Sequence, residues 1–313
     1  MSSSLATWRL DCNRIGRMRP REPETTRPRR IFSLEFFAPR TPEGASRLQV
    51  ACDGLSTLAP AYISVTCGTD DAAPERTCRA VETLRARLGP STDLAPHLTC
   101  VGSSRHDMSR LLAAYRTLGV RHLVLIRGDL PPGVREYMGD LPHASDLVAF
   151  VRAETGDYFH IEVAAHPEFH PDALSADADL ANFKRKTEGG ATSALTQYFY
   201  NADAYFRFVE SCARLGVTLP IVPGIMPITN FERLSRFSES AGVEIPRWMR
   251  KRLEGFARDP ESVRAFGIDV VTRLCERLLD NDAPGLHFYT MNTIEPTRTI
   301  WTQLGLEPEP APP

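Results

Sequence analysis

From residue 31 onward, short apolar runs alternate with longer segments of helical period, and the alternation repeats eight times. The runs at 31–37, 62–67, 94–100, 122–128, 160–166, 193–199, 219–225 and 286–291 have strand length and bury easily. Between them lie helical patterns near 43–58, 74–88, 106–118, 144–154, 176–188, 202–215, 229–240 and 246–280, with a last one near 295–305. Strands separated by crossover helices pair in parallel. Eight such units in this length predict an α/β fold, a (β/α)8 TIM barrel forming one domain over 31–306. An open doubly wound sheet is the competing architecture. It usually carries a glycine-rich nucleotide turn after its first strand, and neither GxGxxG nor GxxxxGK[ST] occurs here.

The ends differ from this middle. Residues 1–30 hold eight arginines against Asp11, Glu22 and Glu24, show no periodic apolar face, and carry Pro20, Pro23 and Pro28. They read as a disordered arm, and the proline-rich stretch 307–313 as a frayed tail. A net charge of −2 gives no general case for binding nucleic acid or a membrane surface. No apolar run reaches the length of a bilayer span, and no signal-peptide core follows Met1. Seven scattered cysteines without a CxxC pair suit a reduced cytoplasmic protein.

The first strand candidate is the most informative for chemistry. In Ile31–Phe37, Phe32, Leu34 and Phe36 alternate with Ser33 and Glu35, which must point to the other face. A carboxylate on the inward face of a buried strand is costly unless paired or protonated. Phe36 and Phe37 are expected to pack around it; a salt-bridged structural Glu is the other reading. Further polar residues fall where a barrel places its active site, at the C-terminal strand ends. They include Thr66, Cys67 and Gly68, His97, Arg127-Gly128-Asp129, His166 and His170, Gln197, Gly224 and Tyr289.

Each constellation has a plainer reading. Asp129 is a second carboxylate at the rim, or an Asp opening a turn before Pro131 and Pro132. His166 and His170 have metal-ligand spacing, but Pro167 and Pro171 oppose the helix that would align them, so a planar ligand or a satisfied loop fits better than zinc. Ser175 is a candidate N-cap for a helix on which Asp179, Asn182 and Lys186 share a face beside Arg185. That face suits a pyrophosphate and sugar, or is a solvated charge stripe. The aromatic cluster from Tyr198 to Phe208 reads as packing, whereas Gln197 needs a polar partner.

In this order and spacing the chain resembles the methylenetetrahydrofolate reductase family over about 31–306. The matching stretches are FSLEFFAPR at 32–40, VTCG at 65–68, PHLTC at 96–100, RGDLPP at 127–132, ASDLV at 144–148, PEFHP at 167–171, KRK at 184–186, TQYF at 196–199, PGIMP at 223–227 and HFYTMN at 287–292. The resemblance implies a barrel that binds FAD noncovalently, takes electrons from NADH or NADPH, and then reduces methylenetetrahydrofolate in the same site. It implies that Glu35 is the general acid that opens the folate's five-membered ring, kept protonated near neutral pH by burial among Phe36, Phe37 and the flavin. Asp129 is implied as the carboxylate near the flavin that steadies the cationic iminium. Thr66, His97, Arg127, Gly128, Ala144, His170, Asp179, Asn182, Arg185 and Lys186 match FAD-contacting positions, and His166 stands near the flavin. Gln197 matches a position touching both folate and nicotinamide, and Arg233, Phe237 and Tyr289 match or adjoin the substrate pocket. A homo-oligomer is implied by the same analogy.

This sequence departs from the family's pattern at Cys67, His143 and His166, where a Tyr is common, and at Arg233 and Thr293, where Gln and Arg are usual. Two other uses of the barrel stay open: reduction by a protein electron donor, and folate or flavin binding without catalysis. An arginine-rich arm that binds RNA is a third.

Overall fold

The computed structural model describes residues 30–68, 70–129, 139–256 and 259–306. Residues 1–29, 130–138 and 307–313 lie outside them, and with them the expectations for the arm, the Pro131-Pro132 turn and the tail.

Eight parallel strands close in chain order into a barrel. They are β1 (Ile31–Phe37), β2 (Tyr62–Thr66), β3 (Asp93–Thr99), β4 (His122–Ile126), β5 (His160–Ala165), β6 (Ser193–Tyr198), β7 (Ile221–Ile225) and β8 (Gly285–Tyr289). The helices are α1 (Pro42–Asp53), α2 (Ala73–Leu88), α3 (Arg105–Thr117), α4 (Ala144–Thr155), α5 (Ala176–Glu188), α6 (Ala202–Arg214), α7 (Phe231–Ala241), α8 (Arg247–Gly255), α9 (Pro260–Asp280) and α10 (Glu295–Gln303). The predicted (β/α)8 barrel is therefore the observed fold. The single helix expected over 246–280 is instead two, α8 and α9. Asp259 caps α9 by accepting from Glu261 N and Ser262 N, and Pro260 takes the position where a missing N–H costs nothing. The Asp-Pro pair is the start signal that the long apolar period hides.

Strand parity makes two cores. On β1, Leu34 and Phe36 are fully buried toward the helices, and Phe32 meets the edge of Trp301 at 5.8 Å. Each such side chain contributes about 1.5–3 kcal/mol of burial. Inside the barrel a smaller apolar plug gathers Tyr62, Ala95, Val124, Leu195 and Val222, with Ile31 and Ile126 against it. Ser33 and Glu35 share that inward parity. The aromatic residues after β6 are packing, as expected: Phe199 stacks on Tyr205 at 5.6 Å.

Two glycines permit the closure. At Gly285 a Cβ would fall 1.7 Å from Ile31 O, because β8 begins directly against β1. At Gly224 a Cβ would fall 2.2 Å from Thr196 O and 2.6 Å from the Tyr289 ring, which crosses the barrel there. We expect Gly285→Ala to lower unfolding free energy by roughly 1–3 kcal/mol, the usual cost of forced overpacking. Urea unfolding measures it, and wild-type stability in that variant would contradict the tight β1–β8 seam.

Candidate active site

Glu35 sits one turn of the pleat below the barrel mouth, 7% exposed. Its Oε2 is 3.3 Å from His97 Nε2 on β3 and 3.5 Å from His287 Nε2 on β8. Both contacts are ion-pair separations without hydrogen-bond alignment, and both Nε2 atoms are buried with no hydrogen-bond partner. His287 is oriented from behind by Ser33, whose Oγ is 2.8 Å from Nδ1. Thr290 Oγ1 donates to the Glu35 carbonyl at 2.6 Å and fixes the backbone.

This environment corrects one expectation. Burial pushes the Glu35 carboxyl up, but His287 and His97 together outweigh it, and the pKa falls to about 2. The protein's own groups therefore favour the ionised carboxyl, and Phe36 and Phe37 do not by themselves keep it protonated. The rings expected to shield it are also placed otherwise. Phe36 faces the helices, and Phe37, 40% exposed, stands at the mouth above Glu35 on the same face of β1.

At the end of β1, beside Phe37, opens a cavity of about 940 Å³ that Glu35 itself does not line. Its wall includes Phe37, Thr66, Cys67, Gly68, Arg233, Phe237 and Thr293. Predicted residues from β2, α7 and the loop after β8 thus come together over β1. Arg233 and Thr293 share this wall, and both also border an adjoining cavity of about 770 Å³. Tyr289 spans the barrel below, its hydroxyl donating to Thr196 O at 2.8 Å, with its ring edge-on to His287 at 5.3 Å. Gln197 lies where the β6–β7 ladder is interrupted, and its Oε1 accepts from Tyr198 N at 3.0 Å. The partner that Gln197 needed is therefore supplied in part by its own strand.

The opposite wall, from β4 to α5, gathers the other predicted residues. Arg127 pairs with Asp172 at 2.9 Å, Gly128 has φ +85°, and Asp129 is exposed at the rim. Ala144 opens α4, where Asp146 accepts from His143 N at 2.9 Å. His166 and His170 meet edge to face at 4.6 Å. Burial first, then His170, Lys186 and Arg127, lower His166 to about 3. Asp179 accepts from His170 N at 2.9 Å, and Ser175 caps α5 as expected, accepting from Ala178 N. The shared helical face is less uniform than its spacing suggests. Asn182 and Arg185 bond each other at the exposed surface, while Lys186 reaches back to Ala164 O and is lowered by burial to about 8.

Sequence reasoning missed the groups beneath the site. Glu162 on β5 is 2% exposed and accepts from the Tyr62 hydroxyl at 2.6 Å and from Ser193 Oγ at 2.9 Å. His122 Nε2 lies 3.4 Å from Glu162, and its Nδ1 lies 3.3 Å from Asp93. His160 Nε2 is 2.8 Å from Ser193 Oγ. The alternation in His160-Ile161-Glu162 was the available signal, since period two puts the imidazole and the carboxylate on one face.

A closed parallel barrel with a histidine-clamped carboxylate under its C-terminal mouth defines the class, a (β/α)8 barrel with an enzyme-type site. The particular family follows from comparison. A family model described as methylenetetrahydrofolate reductase matches residues 22–305. A 5,10-methylenetetrahydrofolate reductase of Pectobacterium carotovorum is 39% identical over 280 residues, covering 89% of this chain and 91% of that protein. One of Escherichia coli is 38% identical over 276 residues, covering 88% and 91%. The chain belongs to the methylenetetrahydrofolate reductase family. A solved barrel described as an uncharacterized protein from Clostridium thermocellum that binds two copies of 5-methyl-5,6,7,8-tetrahydrofolic acid shares the fold, with TM-score 0.60 and 14% identity over 88% of this chain and 94% of that one.

The buried charges set a stability profile against pH. Burial pushes the Glu162 carboxyl up, but His122 and Tyr62 outweigh it and the pKa falls to about 2, like that of Glu35. His122 is raised to about 9 by Asp93 and Glu162 against the opposing effect of burial, and burial lowers His160 to about 4. A raised histidine stabilises below its unfolded pKa and loses that contribution as pH rises toward 9. Histidines kept neutral lose stability as pH falls below about 6.5. The depressed carboxylates add to that loss between about pH 4.5 and 2. Stability measured by thermal unfolding is therefore expected to peak near pH 6–7 and decline on both sides. An alkaline limb that persists unchanged in His122→Asn would contradict the assignment.

Proposed function

We propose that this chain reduces 5,10-methylenetetrahydrofolate to 5-methyltetrahydrofolate, using FAD and either NADH or NADPH, with nucleotide and folate occupying one site in turn. Family membership supports the reaction. The observation that carries it is Glu35, a buried carboxylate between two imidazoles on the inward face of β1.

The wall from β4 to α5 suits a dinucleotide. Gly128 lets a ligand approach the backbone, Arg127 and Arg185 present guanidinium groups to phosphates, and His166 and His170 offer flat faces. Ala144, Asp179, Asn182 and Lys186 complete that wall or fix its backbone, and Thr66 and His97 would approach the cofactor from β2 and β3. Bound there, FAD would supply the hydride chemistry. Phe237, Tyr289, Gln197 and Arg233 would hold the folate and the nicotinamide in turn.

The acid step belongs to the chain. Glu35 gives its proton to the folate's bridging nitrogen, the carbon–nitrogen bond breaks, and the one-carbon unit becomes a cationic iminium ready for hydride. Asp129, at the rim, steadies that cation. Burial is the largest single influence on Glu35, and it acts to raise the pKa. Ligands that cover the mouth and exclude water move the carboxyl further toward its protonated form, with His97 and His287 as the proton donors in reach. The scattered cysteines suit a reducing compartment such as the cytoplasm, and the family analogy favours a homo-oligomer.

Purified protein is expected to be yellow and to bleach anaerobically with NADH or NADPH. Glu35→Gln should leave that bleaching in place and slow reoxidation by methylenetetrahydrofolate about 10²–10⁴-fold. Normal folate turnover by this variant would remove Glu35 from the acid role, and absence of bleaching by either nucleotide would favour a protein electron donor. Asp129→Asn should slow the folate half-reaction by roughly 10–100-fold, a loss of electrostatic stabilisation. Stopped-flow absorbance resolves both halves, and an unchanged folate rate would dismiss the role given to Asp129.

A further inference from the structure

The cavity beside Phe37 carries a charge that the acid step does not use. Arg40, Arg47, Arg76 and Arg233 line it, and no aspartate or glutamate does. Two acids stand behind these arginines. Asp70 accepts two hydrogen bonds from Arg76, at 2.7 and 2.5 Å, and lies 3.6 Å from Arg40. Glu43 is drawn down by Arg47 at the exposed start of α1. Arg47 and Arg233 are exposed, and among the described residues neither forms an ion pair. Four arginines against two carboxylates leave this wall cationic. The adjoining cavity of about 770 Å³ is closer to balance, with Arg233, Arg236 and Arg264 against Glu232 and Glu295. A polyanion is therefore drawn to the first cavity rather than the second.

The cationic groups are built toward the space. At Gly68 a Cβ would lie 3.2 Å from Arg40 Nη2 and 3.5 Å from Arg76 Nη2, so two guanidinium groups converge over a residue that has no side chain. The first turns of α1 and α2 contribute Gly44 and Ala73 to the wall, which adds the positive ends of two helix dipoles. The same wall carries Phe37 and Phe237, each 40% exposed. Asn292 fixes Phe37 there, accepting from its N at 2.7 Å and donating to its O at 3.1 Å. The cavity thus offers aromatic faces to a planar ring and guanidinium groups to several carboxylates.

We propose that this cavity seats a polyglutamyl tail on the folate, with the carboxylates beyond the first glutamate paired to Arg40, Arg47 and Arg76, while Arg233 stands at the border with the adjoining cavity. The proposal rests on folate being the substrate and names the form of it that the site prefers. Each γ-linked glutamate adds one carboxylate. A chain of separated charges matches arginines spread along a wall better than one compact phosphate does. Asp70 keeps Arg76 in place without neutralising the wall, since its two oxygens serve Arg76 and leave Arg47 and Arg233 uncompensated. The phosphates of NADH or NADPH share this anionic chemistry, because nucleotide and folate would use one mouth in turn, and the two sources separate on the length of the folate tail.

Calorimetric titration of the full-length flavin-loaded protein with 5-methyltetrahydrofolate, carrying either one glutamate or five, reads the tail without relying on turnover. The pentaglutamate is expected to bind about 10–50-fold more tightly, as several solvent-facing ion pairs act together. Raising salt to about 0.5 M should remove most of that preference. Arg47→Gln and Arg76→Gln should each lower it about 2–5-fold, the range for one such pair. Both should leave monoglutamate affinity and bleaching by NADH at wild-type values, which reports an intact fold. Arg47 is on an exposed helix face, so its variant keeps the test sound if Arg76→Gln, which strips Asp70 of its partner, fails to fold. Equal affinity of wild-type protein for the two forms, or the full preference retained in both variants, would overturn the assignment. A selective loss of bleaching by NADPH in the variants, with the tail preference unchanged, would overturn it in favour of a nucleotide phosphate. Binding of neither form by wild-type protein would instead sink the folate reading, and the tail site with it.

Discussion

The structure turns on one buried carboxylate held between two imidazoles. Glu35 is placed by strand parity, enclosed by barrel closure and ionised by His97 and His287. Removing a charge from water is expensive, so such a group persists only where neighbours compensate it. The compensation here comes from β8, which pairs with β1, and from β3, one strand beyond β2 in the closed barrel. Closure, and the glycine that permits the β8–β1 seam, are therefore part of the chemistry as well as the fold.

The ionised state in the ligand-free protein is compatible with acid catalysis because the opposing influences are large and of different origin. Desolvation raises the pKa and the histidines lower it. A ligand that excludes water strengthens the first. The proposed acid role therefore requires that bound ligands tip this balance toward the protonated form.

Much of this was legible in the sequence. Alternating short apolar runs and helical segments are enough to specify parallel strands with crossovers, because period two and period 3.6 are physically exclusive. The inward parity of Glu35 followed from Phe32, Leu34 and Phe36 facing the helices. What the sequence hid depends on which strands meet across the barrel. His287 and Glu35 lie far apart in the chain and touch only after closure, so no local pattern sets the Glu35 pKa. Phe36 and Phe37, adjacent in sequence, were expected to act together, yet parity sends them to opposite faces of β1. Lys186 has the spacing of a solvated stripe, but its long side chain reaches back from α5 to the Ala164 carbonyl on β5. The Glu162 cluster went unnoticed because, apart from the His160 and Glu162 pair on β5, its members come from separate strands that meet only across the closed barrel.

Infrared difference spectroscopy of the Glu35 carboxyl, with Glu35→Gln protein as the reference, tests the central claim most directly. At neutral pH the ligand-free protein should show an ionised carboxylate stretch from this residue, and binding of methylenetetrahydrofolate should convert it to the carbonyl band of a protonated acid. A carboxyl that is already protonated without ligand, or one that stays ionised when the folate is bound, would contradict the account.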